Sequence, residues 1–380
     1  MQKIINKNEI KITQIAMIIV VIMAGSKFLN VLTLIAAEAK QDGWLTLLLI
    51  YAVDYIALFC MLYAIKINTK GLSLYEVLKS TIGIVATKII FAMFFAYYMF
   101  RIMGLMTSVL NVFSATLTLK TNWLGFAIPI AIYIIVATKL GIKATARITE
   151  LLGGAIILAA VLMITLSIKQ TDLTELKPVL VNGFTPVFKA INDHTFWFAD
   201  SLFIVFMIEN VKGKKSFYLV PTVAFIVGVV MTIGLYAVFY GIFGPITWMI
   251  DGAIDKVSQF NVQLTSNGRL DWLALVFWLL SVFIKLAIMS FCAFKSFDSI
   301  FIKSTKSPSI VAITVYCALI VILPILFPME ACIRFLFRNG AGKYAALILQ
   351  YLVPFLLPFL TKYATKKSKI LIKKSLVALE

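Results

Sequence analysis

Five ionisable residues lie where an ionisable residue is costly. Lys27, Asp54, Arg101, Asp200 and Lys285 each fall inside a long apolar run of this 380-residue chain. A lysine at the centre of a membrane helix costs ~3 kcal/mol on insertion scales. From Lys27 to either end of its run is roughly 15–20 Å at 1.5 Å per residue, too far for easy snorkelling. Such groups therefore face a polar interior, and buried charges there must pair. Three cations stand against two carboxylates, a formal excess of one positive charge that a bound carboxylate, such as that of an amino acid, would neutralise. Lysine deprotonation would serve equally.

Lys27 follows Ala24-Gly25-Ser26, and a helix is expected to break at that glycine. A second irregular, polar centre is read at His194-Thr195-Phe196-Trp197-Phe198-Ala199-Asp200-Ser201, although it holds no glycine or proline. Broken helices free backbone groups. Unpaired N–H groups and the positive end of a half-helix hold a carboxylate. Freed carbonyls hold an ammonium or a metal cation. Phe196, Trp197 and Phe198, with Tyr97 and Tyr98, are candidate walls or simply packing residues. The candidate ligand-binding set is Ala24, Gly25, Ser26, Lys27, Tyr97, Arg101, Phe198, Ala199, Asp200 and Ser201. The blander readings are a helix-to-helix ion pair with a lysine for Asp54, contact with water for Arg101, a structural pair for Lys285, and a place near the outer mouth for His194.

The elements that must position these residues are membrane helices. The chain is 62% hydrophobic and 14% charged, against about half apolar and a quarter charged in a soluble domain. Unbroken apolar runs of about twenty residues exclude a β-barrel. Ten spans are expected, at 13–37, 44–65, 83–111, 123–138, 148–168, 188–210, 217–243, 270–294, 309–329 and 344–361. They divide the chain into a cytoplasmic N-terminus (1–12), an integral domain (13–361) and a basic cytoplasmic tail (362–380). The first run is too long for a signal peptide.

Lysine and arginine set the orientation. With the N-terminus inside, every inner segment carries at least three: Lys3, Lys7 and Lys11; Lys66, Lys70 and Lys79; Lys139, Lys143 and Arg147; Lys212, Lys214 and Lys215; Lys295, Lys303 and Lys306; and the tail from Lys362 to Lys374. Both termini are thus expected in the cytoplasm, with the tail against anionic lipid. The formal charge of +18 does not imply nucleic acid, because it is spread over loops. The loops 171–189 and 244–268 are long enough to form short interfacial helices over a cavity.

Ten spans divide five plus five, and an odd number per half inverts one half relative to the other. The first span of each half, spans 1 and 6, then carries the irregular polar centre, the arrangement of a transporter-type site. Catalytic motifs are missing: there is no P-loop, HExxH or GxSxG, and one histidine cannot build a metal site or triad. The four cysteines lie singly, with no CxxC. No enzyme activity, metal or cofactor is expected.

Several short motifs occur in a familiar order. Ile12-Thr13-Gln14 opens span 1. Gln41-Asp42-Gly43-Trp44 is similar to an A-x-x-D-A-W entry to span 2. Gly268-Arg269-Leu270-Asp271-Trp272 opens span 8 and continues to Trp278 and Lys285. In this order, over residues 10–365, the chain resembles the spore germination permease family, the B subunit of nutrient germinant receptors, in the amino acid–polyamine–organocation superfamily. It differs in carrying Ser26-Lys27-Phe28 where the family has a glycine-rich, proline-containing centre, Gly43 for alanine and Asp271 for glutamate.

The resemblance implies a LeuT-like fold with spans 1 and 6 unwound around a central pocket for a small nutrient. It implies an A subunit and a lipoprotein C subunit as partners, and the spore inner membrane as location. In sodium-independent members of the superfamily a lysine ammonium stands in the sodium position near spans 1 and 8. Lys27 and Lys285 are therefore candidates to replace the ion, with Asp54 as a further coupling residue. Two other functions stay open at this point: a proton-coupled amino acid transporter and a channel component.

Overall fold

The computed structural model describes residues 10–26, 31–116, 123–211, 217–250, 256–257, 271–301, 310–326 and 329–377. Apart from an isolated parallel bridge between Ile10 and Val211, the described chain is helical. The main helices are α1 (Ile12–Ser26), α2 (Val31–Ala39), α3 (Gly43–Ile67), α4 (Leu74–Ile82), α5 (Ile84–Thr116), α6 (Trp123–Leu140), α7 (Ile142–Ser167), α8 (Thr185–His194) and α9 (Leu219–Phe243). They continue with α10 (Asp271–Phe301), α11 (Ile310–Leu326), α12 (Met329–Ile333), α13 (Gly342–Leu347) and α14 (Val353–Val377).

Among the described residues, six stretches are long and apolar enough to cross a membrane: Val31–Ile67, Ile84–Asn111, Ile142–Gln170, Leu219–Met249, Val276–Phe301 and Gly342–Lys367. Ile12–Met23, Leu124–Leu140 and Ile313–Leu323 are shorter apolar helices. A helical segment stands at each of the ten expected spans. The surface shows why the medium is lipid. On α3, Leu47, Ile50, Asp54 and Leu58 face inward, while Leu48, Val53, Ile56 and Phe59 form the exposed side. A helix that is apolar all round is at home only when lipid covers its outer face.

Helix α4 is built differently. Ser73 Oγ accepts from Glu76 N–H at 3.2 Å and Glu76 returns the contact to Ser73 N–H at 2.8 Å, a capping box. Leu74, Val77 and Leu78 are buried, leaving Glu76 and Lys79 exposed, so α4 is amphipathic. The final helix α14 packs on α3 and α4 and runs on to Val377, so the basic tail begins as a continuation of the last span.

Helix α1 packs against α7, α9 and α10, and α5 lies along α10. The expected break at Gly25 is displaced. Helix α1 runs through Gly25 to Ser26, and α2 resumes at Val31. A Cβ on Gly25 would lie 1.6 Å from Ser281 Oγ and 2.3 Å from its Cβ. The glycine is there because α1 and α10 touch backbone to side chain; residues 27–30 lie outside the described residues.

Loop 171–189 forms one short 3-10 turn, Leu173–Leu176, before α8, and Gly244–Met249 forms another after α9. Loop 171–189 also takes in the start of α8 at 185–189, and residues 251–255 and 258–268 of the second loop lie outside the described residues. The turn around Asp42 is a structural joint. Asp42, 3% exposed, accepts from Leu180 N–H at 2.9 Å. Gly43 lets the Tyr236 phenol approach to where a Cβ would stand, 2.1 Å from the hydroxyl. Tyr236 OH donates to the Lys40 carbonyl.

Candidate functional site

Span 6 comes apart over a few residues. Helix α8 ends at His194, a 3-10 turn covers Thr195–Trp197, and Phe198 is extended (φ −97°, ψ −161°). Ala199 is left-handed (φ 58°, ψ 45°), and a second 3-10 segment runs from Asp200 to Met207. A left-handed alanine costs ~1–2 kcal/mol, and every carbonyl freed near it needs a donor. Glycine and proline are unnecessary because side chains from three other spans hold the break in place.

The carbonyls are served by Arg101 and Gln350. Arg101 Nη1 donates to Phe198 O at 2.7 Å and Nη2 to Trp197 O at 3.0 Å. Gln350 Nε2 stands 3.2 Å from Thr195 O, 3.1 Å from Phe196 O and 3.3 Å from Phe198 O. On the other side, the Ala199 N–H donates to Asp54 Oδ2 at 3.0 Å, and Tyr351 OH donates to Asp54 Oδ1 at 2.9 Å. Asp54 therefore caps the break, a role beyond the lysine ion pair suggested by sequence. The freed carbonyls expected to hold an ammonium or cation already hold the protein's own guanidinium and amide.

Charge is gathered at the first residue after the break. Asp200 Oδ1 lies 3.0 Å from Arg101 Nη2 and 2.8 Å from Lys285 Nζ, with all three side chains 3–4% exposed. Arg101 is thus buried in the cluster and does not reach water. Tyr97, one turn before it on α5, receives its Nη1 at 2.6 Å. The Tyr97 hydroxyl also receives Gln350 Nε2 at 3.0 Å. Arg101, Asp200, Lys285 and Asp54, on spans 3, 6, 8 and 2, meet at one place. Such a cluster is tolerated in a dry interior only because each charge has close partners.

The remaining candidates take varied places. Tyr97, Phe198, Ala199 and Ser201 are buried at the break. Ala24, Gly25 and Ser26 form the last turn of α1, with Gly25 against Ser281. Lys27 lies outside the described residues. The aromatic residues pack on the protein: Phe196 stacks on Phe337 at 4.0 Å between centroids, and Phe198 meets Tyr51 edge-on at 5.5 Å. His194 is buried, 4% exposed, at the edge of the break.

Gln350 and Tyr351 are absent from the candidates drawn from sequence, which centre on the buried charges and the two irregular segments of spans 1 and 6. An amide within Leu349-Gln350-Tyr351-Leu352 was the available signal. Both sit in a π-helical segment, Ile348–Leu352, the kind of local widening that recurs at functional sites. It lets two successive residues serve opposite sides of the same break.

Contacts close the region at both ends. At the α2–α8 end, Glu38 pairs with Lys189 at 2.7 Å and with Arg338, and Arg338 Nε donates to Asp193 at 3.2 Å. At the other end, Ile10 N–H donates to Asn210 O at 3.1 Å and Gln14 Nε2 to Glu150 at 2.9 Å. There Lys295 pairs with Glu209 and donates to Phe206 O at 3.0 Å.

Residues 9–331 match the family described as spore germination protein. Among curated relatives, spore germination protein A2 of Bacillus subtilis (strain 168) is 24% identical over 304 residues, 77% of this chain and 81% of that protein. Spore germination protein KB of the same organism is 27% identical over 220 residues, 55% and 56% of the two chains. Spore germination protein XB of Bacillus anthracis is 23% identical over 324 residues, 82% and 87%. Among solved structures, the inward-facing conformation of Mhp1 aligns over 95% of this chain and 91% of that one, with 14% identity and a TM-score of 0.43.

Proposed function

Because the chain belongs to the spore germination protein family, we propose that it is the permease-like B subunit of a germinant receptor and binds a small nutrient at the break of span 6. The nutrient is an amino acid, held among the last turn of α1 with Lys27, the Tyr97–Arg101 turn of α5 and Phe198–Ser201. The protein works with an A subunit and a lipoprotein C subunit in the spore inner membrane, with both termini in the cytoplasm. Lys27 or Lys285 takes the place of a coupling sodium ion.

One observation carries this reading. Asp200 is shared by two buried cations at a point where side chains of spans 2, 3 and 10 brace the backbone of span 6. A ligand carboxylate would compete with Asp200 for Arg101 or Lys285. Any such competition loosens contacts among five spans together, and differential affinity for two arrangements is what a receptor needs.

Thermal unfolding of the purified protein against amino acids and nucleosides tests the proposal. Ligand binding to the folded state raises stability by RT ln(1 + [L]/Kd). At least one amino acid should raise the midpoint, and Arg101→Ala should abolish the rise. Stabilisation by none of them, or an equal rise in Arg101→Ala, would sink it. Uptake of the stabilising amino acid into proteoliposomes would point to a transporter.

A further inference from the structure

Gln350 is 1% exposed, on span 10, which carries none of the five ionisable residues. Its Nε2 stands within 3.0–3.3 Å of four oxygens: Tyr97 OH, Thr195 O, Phe196 O and Phe198 O. Three of these are backbone carbonyls, which accept only, so the amide nitrogen must face them and Oε1 must face away. Two hydrogens are shared over four acceptors. Three of the four have another donor, Arg101 Nη1 for Tyr97 OH and Phe198 O and the Phe198 N–H for Thr195 O, so a turn of the amide gives up chiefly its contact with Phe196 O.

Oε1 is the unusual atom. It is buried and has no hydrogen-bond partner among the described residues. A buried acceptor without a donor is rare in folded proteins and calls for one. Arg101 Nε, on a side chain 3% exposed, likewise lacks a partner. The two side chains are neighbours, because both donate to Tyr97 OH and both reach Phe198 O. One unfilled acceptor and one unfilled charged donor thus belong to two neighbouring side chains at the break of span 6.

We infer that Gln350 Oε1 is the ammonium-recognising atom of the nutrient site, paired with Arg101 for the carboxylate, so that Gln350 selects α-amino acids over plain carboxylic acids. The inference rests on the site proposed above and adds its specificity. An ammonium drawn to Oε1 turns the same amide whose nitrogen serves Thr195, Phe196 and Phe198, so recognition and the shape of span 6 share one side chain. The physical setting favours selection by this route. A site built to hydrogen-bond a group rejects the analogue that lacks it far more strongly than an apolar pocket can.

The test compares each proteinogenic amino acid with its des-amino acid by thermal shift titration on the full-length protein. The wild-type chain should bind at least one amino acid ten-fold or more tightly than its des-amino partner. Gln350→Met removes the amide and keeps the length; the ratio should fall to about one, whatever the variant does to the absolute affinities. Gln350→Glu keeps an acceptor and adds charge, so the ratio should rise above wild type; this variant also serves if Gln350→Met does not fold. A ratio that either folded variant leaves at its wild-type value overturns the role of Gln350 alone. Absence of binding by every amino acid to the wild-type chain overturns both this inference and the nutrient site.

Discussion

Arg101 and Lys285 approach the same oxygen of Asp200, at 3.0 Å and 2.8 Å, from two different helices. One carboxylate thereby joins spans 3, 6 and 8 at the point where span 6 leaves the α-helical path. Removing it leaves two cations in a dry interior. Breaking a buried ion pair by deleting one partner costs about 3–5 kcal/mol. Asp200→Ala should lower the unfolding midpoint in detergent sharply, and Asp200→Ala with Lys285→Met should lower it by less than the two single changes added. Strict additivity would contradict the shared contact.

The backbone at Ala199 makes a prediction of opposite sign. Its φ of 58° suits glycine better than alanine. Ala199→Gly should keep the fold and raise stability by up to ~1 kcal/mol. Ala199→Val, β-branched in the same conformation, should lower it. The check is the thermal midpoint of the two variants beside the parent, and a stabilised valine variant would contradict the left-handed turn.

At Gly25 the constraint is contact. An added methyl overlaps Ser281 Oγ and Cβ, and overpacking of this kind typically costs about 1–3 kcal/mol. Gly25→Ala should destabilise the protein, and Ser281→Gly in the same chain should restore most of the loss. The nearest remaining atom, the Ser281 carbonyl carbon at 3.5 Å, is at ordinary contact distance. Failure of the second change to rescue the first would place the cost elsewhere.

The ion pairs of Glu38 concern movement more than stability. Lys189 is 59% exposed and Arg338 36%, so each pair contributes at most ~1 kcal/mol and is screened by salt. Glu38→Gln should barely move the melting point. Spin labels at the exposed positions of Ala37 on α2 and Phe188 on α8 should report a wider distance distribution in the variant. In the parent the same widening should appear as ionic strength rises. A distribution indifferent to both would show that the pairs do not hold α2 to α8.

Asp54, Arg101, Asp200 and Lys285 were legible as a set because an ionisable group in an apolar run needs a partner whatever the fold. Which group would partner which was not legible. Asp54 turned out to cap the Ala199 N–H, and Arg101 to serve two carbonyls besides Asp200. Gln350 gave a weak signal, because an amide costs less in an apolar run than a charge, and the π-helical turn that aims it leaves no mark in composition.

Taken alone, the sequence determined the membrane-spanning helical class, the family, and the irregular centre of span 6. These follow from run length, motif order and residue type, which are local. Only the tertiary structure decided that α1 continues through Gly25, that the Asp42 turn is a structural joint, and that span 6 is held open by Asp54, Arg101 and Gln350. Those depend on which helices lie side by side. A freed carbonyl or an exposed N–H takes the donor or acceptor that packing brings to it, and residues separated by 145 or 155 positions along the chain meet only once the bundle is formed.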